Sequence, residues 1–577
     1  MEASGVSRDP LRQVPLFAGT DPGLRAELAD RAETVELPAG EWLFHGGDAA
    51  DSMYVVLVGR LEVVIEAPDP TVIRVVAAGA AVGELALVTD APRSASVRAR
   101  RDSRLLRLGR EDFLELLQKD TSFSVALIRS LGGLLRESRA LTPEAAPLPA
   151  TIAVLPLGTG VAAAPVANAL EERLGSGTAL LTEPGSDWDW DATLDQAERD
   201  SERVLLVADG PPGDGAWSDF CMRQADRVLL LAEGPVPSGP VPARGHPRSE
   251  LLMTGRAGPG VLGSWLEATG APKGRALGPD LAGSAALGAL ARSLTGRSNG
   301  LVFSGGGARG LAHIGVIDAL LESGIQIDRV AGCSMGALIG AQFAMGLDPE
   351  SIRAHCEAEL IRANPMGDYT LPLVALVRGL RAKAMVERIF GERRIEELPR
   401  EFQCVSCDLV TAELVEHRRG PLFRAVGASF CLPAIGPPVV EGGSLLVDGG
   451  VLNNLPVEML ARSGEGPVIA SDVTAQFQLT RRSRAAAGRA RRRLRESVLG
   501  LGHDVPMRLP EIVTRTITLG SIDTVEESQR HADLVIRPAV SDVGLVQFER
   551  IDQLRRAGRE AALAAFEAQP ELVEGLR

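Results

Sequence analysis

The segment that most constrains this chain is Gly332-Cys-Ser-Met-Gly336, set between an apolar run from Arg329 to Cys333 and a stretch of small, helix-compatible residues. Glycines two places either side of a serine suit a turn so tight that larger side chains would collide. A strand entering such a turn and a helix leaving it aim backbone N–H groups at any oxyanion formed beside the hydroxyl. The G-x-S-x-G spacing in this setting is that of an exposed nucleophile on an α/β sheet.

A chain of 577 residues exceeds one domain, and roughly 150 residues per domain suggests three or four. Hydrophobic residues at 45% and charged residues at 24% describe a globular protein with ample core. A net charge of −14 argues against nucleic acid as a partner. The six cysteines are irregularly spaced and form no disulfide framework, which points to a reducing, cytoplasmic setting. Cys404 and Cys407 lack the further ligands of a metal site and read as part of a strand. The N-terminus has no signal-peptide core, and no run approaches the ~18 apolar residues that span a bilayer. The expectation is a soluble protein, at most peripheral at the inner membrane face.

From Leu16 to about Arg139, short β-rich runs broken by glycines, notably Gly59, give way to helical periodicity at Glu111–Leu117 and Phe123–Arg136. This predicts a β-roll closed by helices over residues 1–140. Within it, Val82-Gly-Glu-Leu-Ala-Leu87 and Pro92-Arg-Ser-Ala-Ser-Val97 combine free turn N–H groups, a carboxylate and an arginine, which suits phosphate plus ribose. These residues resemble the phosphate-binding cassette of cyclic-nucleotide-binding domains. The resemblance implies that Glu84 takes the ribose 2′-OH and Arg93 the cyclic phosphate, with Gly83, Leu85, Ala86 and Ser94 lining the pocket. The implied regulatory ligand is cAMP or cGMP. The competing reading is a degenerate domain kept for packing.

Leu141-Thr-Pro-Glu-Ala-Ala-Pro-Leu-Pro-Ala150 reads as an extended linker. Residues 151–296 then alternate buried-type strands with helices, as in a small α/β sheet. Its first turn, Pro156-Leu-Gly-Thr-Gly160, lacks the Lys-Ser/Thr of a phosphate loop. The proline- and glycine-rich Gly234–Gly260 reads as a long surface excursion.

In residues 297–577 a strand ending at Ser304 leads into Gly305-Gly-Gly-Ala-Arg-Gly310 and a helix to about Ser323. The glycine spacing matches a dinucleotide fingerprint, but that requires an acidic residue ending the next strand. That strand ends in Ser334 instead. The better expectation is that both glycine turns face each other on neighbouring parallel strands, one supplying the nucleophile and the other oxyanion donors. A serine also needs a base. No histidine occupies a glycine-framed turn downstream, and His313 reads as a packing residue. Asp448, ending Leu445-Leu-Val-Asp448 before Gly449-Gly450, is either that base or a structural turn aspartate.

The three motifs, Gly305–Gly310, Gly332–Gly336 and Asp448–Gly450, resemble the patatin-like phospholipases in order and spacing. The resemblance implies a Ser334–Asp448 dyad, an oxyanion loop framed by Gly305, Gly306, Gly307, Ala308 and Arg309, and no catalytic cofactor or metal. Cys333 departs from the threonine usual there. The order of modules is similar to bacterial relatives of neuropathy target esterase, as is Trp217–Asp226. The implied activity is serine-dependent hydrolysis of phospholipid or lysophospholipid acyl esters under cyclic-nucleotide control. The alternative is a nucleotide-responsive scaffold with a vestigial site. Eight arginines between Arg481 and Arg495 form either a patch for anionic headgroups or a solvated segment.

Overall fold

A computed structural model describes residues 14–17, 19–66, 71–128, 148–158, 160–183, 185, 190–242, 248–371, 374–474 and 522–577. The arginine-rich segment Arg481–Arg495, His503 and most of the proline-rich linker lie outside the described residues. By packing, the chain forms two units: Met1–Arg256 with Trp265–Gly274 and Gly278–Gly283, and Ala257–Ser264 with Arg275–Leu277 and Ser284–Arg577.

The first unit opens with a β-roll of two antiparallel four-stranded sheets. Met53, Val55, Leu106 and Leu108 point into a core closed by Phe17, Phe113 and Phe123. Gly59 breaks the long apolar run because its φ is +97° and a Cβ there would lie 2.6 Å from the Asp102 carbonyl. The helix Arg110–Lys119 follows, and residues 121–128 are helical. The rest of the expected Phe123–Arg136 helix lies outside the described residues.

A six-stranded sheet follows in the order Thr178–Thr182, Arg203–Val207, Thr151–Pro156, Arg227–Ala232, Ser249–Thr254, Lys273–Gly278. Its pairings from Thr178–Thr182 through Ser249–Thr254 are parallel. One expectation is corrected here. Gly234–Gly260 is not a surface excursion throughout, because Ser249–Thr254 is a buried strand. Leu251-Leu-Met253 carries too short an apolar signal to stand out against the surrounding prolines and glycines. Asp226, almost fully buried, ties the β-roll to this sheet by accepting from Arg60 at 2.7 Å and from the Ala150 and Thr151 N–H groups.

The second unit is built on an eight-stranded, mostly parallel sheet. Its main path runs Val439–Glu441, Ser444–Asp448, Glu401–Asp408, Arg329–Cys333, Gly300–Phe303, Val468–Ser471, Leu534–Ile536. The strand Glu401–Asp408 is buried almost throughout instead of alternating, since central strands of a sheet covered on both faces are apolar on both. Helix Ala312–Glu322 covers one face and is crossed by Ile551–Ala568. The crossing depends on two glycines: a Cβ on Gly315 would fall 1.8 Å from the Arg555 carbonyl oxygen, and one on Gly558 1.8 Å from that of Ala312. Backbone cannot yield as a flexible side chain does. Gly558→Ala is therefore expected to destabilise this unit by about 2 kcal/mol or more despite alanine's better helix propensity. An unchanged midpoint of thermal unfolding would show that the helices lie farther apart.

Candidate active site

The glycine loop and Ser334 leave adjacent parallel strands, with Phe303 paired to Gly332. Ser334 has φ 55° and ψ −121°, a left-handed conformation rare for a residue with a side chain, and caps helix Met335–Ala344. The flanking glycines are required by contact. A Cβ on Gly332 would lie 2.6 Å from the Gly336 carbonyl carbon, and one on Gly336 2.5 Å from the Phe303 oxygen.

Asp448 reaches the same level by a different route. Cys333 pairs with Val405 and Ser406 with Asp448, so the strand Glu401–Asp408 sits between nucleophile and carboxylate. The carboxylate is 2% exposed. Its Oδ1 accepts the Gly450 N–H at 2.8 Å and lies 3.5 Å from the Cys333 thiol. Its Oδ2 is buried with no hydrogen-bond partner. Burial pushes the pKa up to about 6, against the pull of the Ser334 hydroxyl, the Gly450 amide and the Cys333 thiol. Ser334 is thus near enough to act on the carboxylate but stands outside hydrogen-bond geometry with Oδ2.

One turn at the end of helix Leu422–Ser429 holds both residues. The Ser334 N–H donates to the buried Ser429 hydroxyl at 3.0 Å, and the Asp448 N–H to the Cys431 carbonyl at 2.8 Å. Sequence reasoning missed this turn and also Asn454. The Asn454 carbonyl takes the Gly305 N–H at 3.1 Å, while its side-chain amide donates back to the Gly305 oxygen at 3.1 Å. A Cβ on Gly305 would strike the Asn454 Oδ1 at 2.4 Å. The Asn453-Asn454 pair so soon after Asp448-Gly-Gly was the available signal.

The loop's amides are unequal. Those of Gly305, Ala308 and Arg309 already donate, to Asn454, Leu545 and Gly306 respectively. Gly306 and Gly307 carry the N–H groups without a backbone acceptor among the described bonds. Arg309 turns its Nε to the Val543 carbonyl at 2.7 Å, fastening the loop. His313 is fully buried between the Ser471 hydroxyl (2.8 Å) and the Ser304 carbonyl (2.9 Å). Burial lowers its pKa to about 4, so it is neutral, donating from Nε2 and accepting at Nδ1. Among the described residues no histidine hydrogen-bonds Ser334 or Asp448.

In the β-roll, Gly83 (φ +85°) precedes helix Glu84–Thr89. Arg93 donates to the Ser52 carbonyl at 2.8 Å and the Gly83 carbonyl at 3.1 Å, and lies 4.2 Å over the Phe44 ring. A Cβ on Gly83 would meet its guanidinium at 2.5 Å. Its buried Nε has no partner. Glu84 is buried, and desolvation raises its pKa against the charges of Arg74 and Arg93. Gly83, Glu84, Ala86 and Arg93 thus come together, whereas Leu85 and Ser94 are exposed.

Residues 301–461 match the patatin-like phospholipase family and residues 34–120 the cyclic nucleotide-binding domain. An uncharacterized NTE family protein of Mycobacterium bovis is 38% identical over 98% of this chain and 97% of its own length. The chain belongs to the NTE family. A lysophospholipase, nte1, of Emericella nidulans is 26% identical over 94% of this chain, which spans 42% of that protein. The N-terminal domain of a transcriptional regulator from Streptomyces coelicolor aligns with 23% of this chain and 92% of its own, at 34% identity and a TM-score of 0.20. No described helix is long and apolar enough to cross a membrane.

The raised carboxyl has a consequence for stability. A folded-state pKa of about 6 against an ordinary 3.8 means that folding disfavours the ionised form. Stability from this group is intact below pH ~4 and is lost as pH rises through ~6, by about 3 kcal/mol at pH 8. Asp448→Asn is therefore expected to raise the unfolding midpoint of the C-terminal unit at pH 8 and leave it unchanged at pH 4. Equal shifts at both pH values would refute a buried, raised carboxyl.

Proposed function

We propose that this NTE-family chain hydrolyses acyl esters of phospholipids or lysophospholipids with Ser334 as nucleophile and Asp448 as its base. The observation that carries this reading is the buried, partnerless Oδ2 of Asp448 beside the strained Ser334. Above pH ~6 that oxygen is an unsolvated anion in want of a proton. Ser334 attacks the acyl carbonyl and its proton passes to Asp448. The Gly306 and Gly307 amides hold the oxyanion. Collapse of the tetrahedral intermediate releases the alcohol, which takes the proton back, and water activated by Asp448 then frees the fatty acid. No histidine is needed, because desolvation gives the carboxylate the basicity that imidazole has in a triad.

Ser334→Ala and Asp448→Asn should each lower turnover by at least about 10³-fold. The wild-type rate should fall with acid along a limb near pH 6. The decisive assay is release of fatty acid from lysophosphatidylcholine, with a fluorophosphonate label on the serine. Failure of the wild-type chain to label would instead favour a scaffold with a vestigial site.

The reading extends to the β-roll, where Glu84 would take a ribose hydroxyl and Arg93 the phosphate of cAMP or cGMP. Arg93 must then trade the Ser52 and Gly83 carbonyls for the phosphate, an exchange its partnerless Nε makes easier. Calorimetry should show at least about tenfold weaker nucleotide binding for Arg93→Ala. Equal affinity would remove Arg93 from the site, and unchanged turnover with saturating nucleotide would remove the regulation.

A further inference from the structure

Four large apolar side chains stand in water within a short stretch: Tyr369 at 76% exposure, Leu371 at 80%, Val374 at 71% and Leu380 at 63%. A patch of this kind marks an interaction surface. The backbone carrying it is braced. Tyr369 bridges Val377, and the Thr370 N–H donates to the Leu376 carbonyl at 3.0 Å. The Asp368 carboxylate caps the following helix by accepting from the Leu380 and Arg381 N–H groups. The stretch is also tied to the segment that follows the turn holding Asp448. Leu376 and Val377 donate to the Ala434 and Ile435 carbonyls, both at 3.0 Å, just past the Cys431 carbonyl that holds Asp448.

Charge narrows the choice of partner. Arg378 and Arg381 flank the apolar residues, are exposed, and make no ion pair among the described residues. Their neighbours Lys383 and Arg388 are paired, with Glu387 and Glu359. Arg381 and Leu380 also border a cleft of about 510 Å³. Apolar tips with flanking free cations match a surface whose interior is hydrocarbon and whose rim is phosphate. A second copy fits poorly, since a symmetric contact would bring the same arginines together.

We propose that the exposed side chains of Tyr369, Leu371, Val374 and Leu380 dock on an anionic phospholipid bilayer, entering the acyl region while Arg378 and Arg381 take headgroup phosphates. The proposal rests on reading the site as a lipid acyl hydrolase, for which it names the face that meets the substrate. It concerns residues other than Arg481–Arg495.

The test is co-sedimentation of the full chain with vesicles of phosphatidylcholine alone or mixed with phosphatidylglycerol. Leu371→Ser combined with Val374→Ser should weaken partition to both vesicles by at least about tenfold. Arg378→Ser combined with Arg381→Ser should weaken it roughly thirtyfold on the anionic vesicles only. Both double variants should keep wild-type turnover of a water-soluble short-chain ester, which also shows them folded. Wild-type partition by both variants would overturn the proposal and point to another segment. So would a wild-type dimer that the apolar variant converts to monomer, without vesicle binding by either. Displacement of the protein from vesicles by millimolar inorganic phosphate at constant ionic strength would mark a free-anion site and count against it. Partition needs no turnover, so the two readings fail separately. Docking without ester hydrolysis refutes the hydrolase reading, and hydrolysis of the soluble ester with unaltered docking of the variants refutes only the surface.

Discussion

The approach of Gly336 to the carbonyls of Phe303 and Ser304 leaves no room for even one methyl group, since a Cβ would lie within 2.5 and 2.6 Å of the two oxygens. That contact brings the start of helix Met335–Ala344 against the end of the neighbouring strand. It forces Ser334 into a conformation costing on the order of 1–3 kcal/mol. The cost is met by an interior in which strand, turn and helix are buried almost completely and by the Ser334 N–H bond to Ser429. With the turn so held, the hydroxyl has one place to be, and the glycine loop and the carboxylate are arranged around it.

As the proposed base, Asp448 faces opposing demands of stability and reactivity. A carboxylate with an unused oxygen in a dry site is unfavourable to folding, yet that same poverty of partners makes it basic. Oδ1 is satisfied by Gly450 and steadied by Cys333, which fixes the direction in which Oδ2 faces. A hydroxyl donor on Oδ2 would stabilise the anion and lower its pKa. The Cys333 thiol is a weak donor, and so restrains Asp448 without quenching it.

Much of this was legible in the sequence because the relevant constraints are local. The glycines around Ser334 and those following Asp448 mark backbone geometries that few residues tolerate, and their spacing survives any change in the surrounding helices. Gly83, with its positive φ before a short helix, was legible for the same reason. The parts that escaped are those set by contacts between distant segments. Nothing near Ser429 in the chain indicates that its hydroxyl meets the amide of Ser334. The commitment of the Ala308 amide to Leu545 depends on a residue more than 200 positions away. The strand Ser249–Thr254 was hidden by its own neighbours, since strand pairing lends an apolar run of three a stability that composition cannot show.

The sequence by itself determined the order of modules, the turn at Ser334 and the glycine loop, because each is written in residues whose backbone freedom admits few roles, and it offered Asp448 as one of two readings of a strand-end aspartate. Only the tertiary structure decided which loop amides remain free, which way Arg93 points, and how far burial raises the Asp448 carboxyl. Those properties depend on desolvation and on the competition among donors for a limited set of acceptors. Both arise when segments far apart in the chain pack against one another.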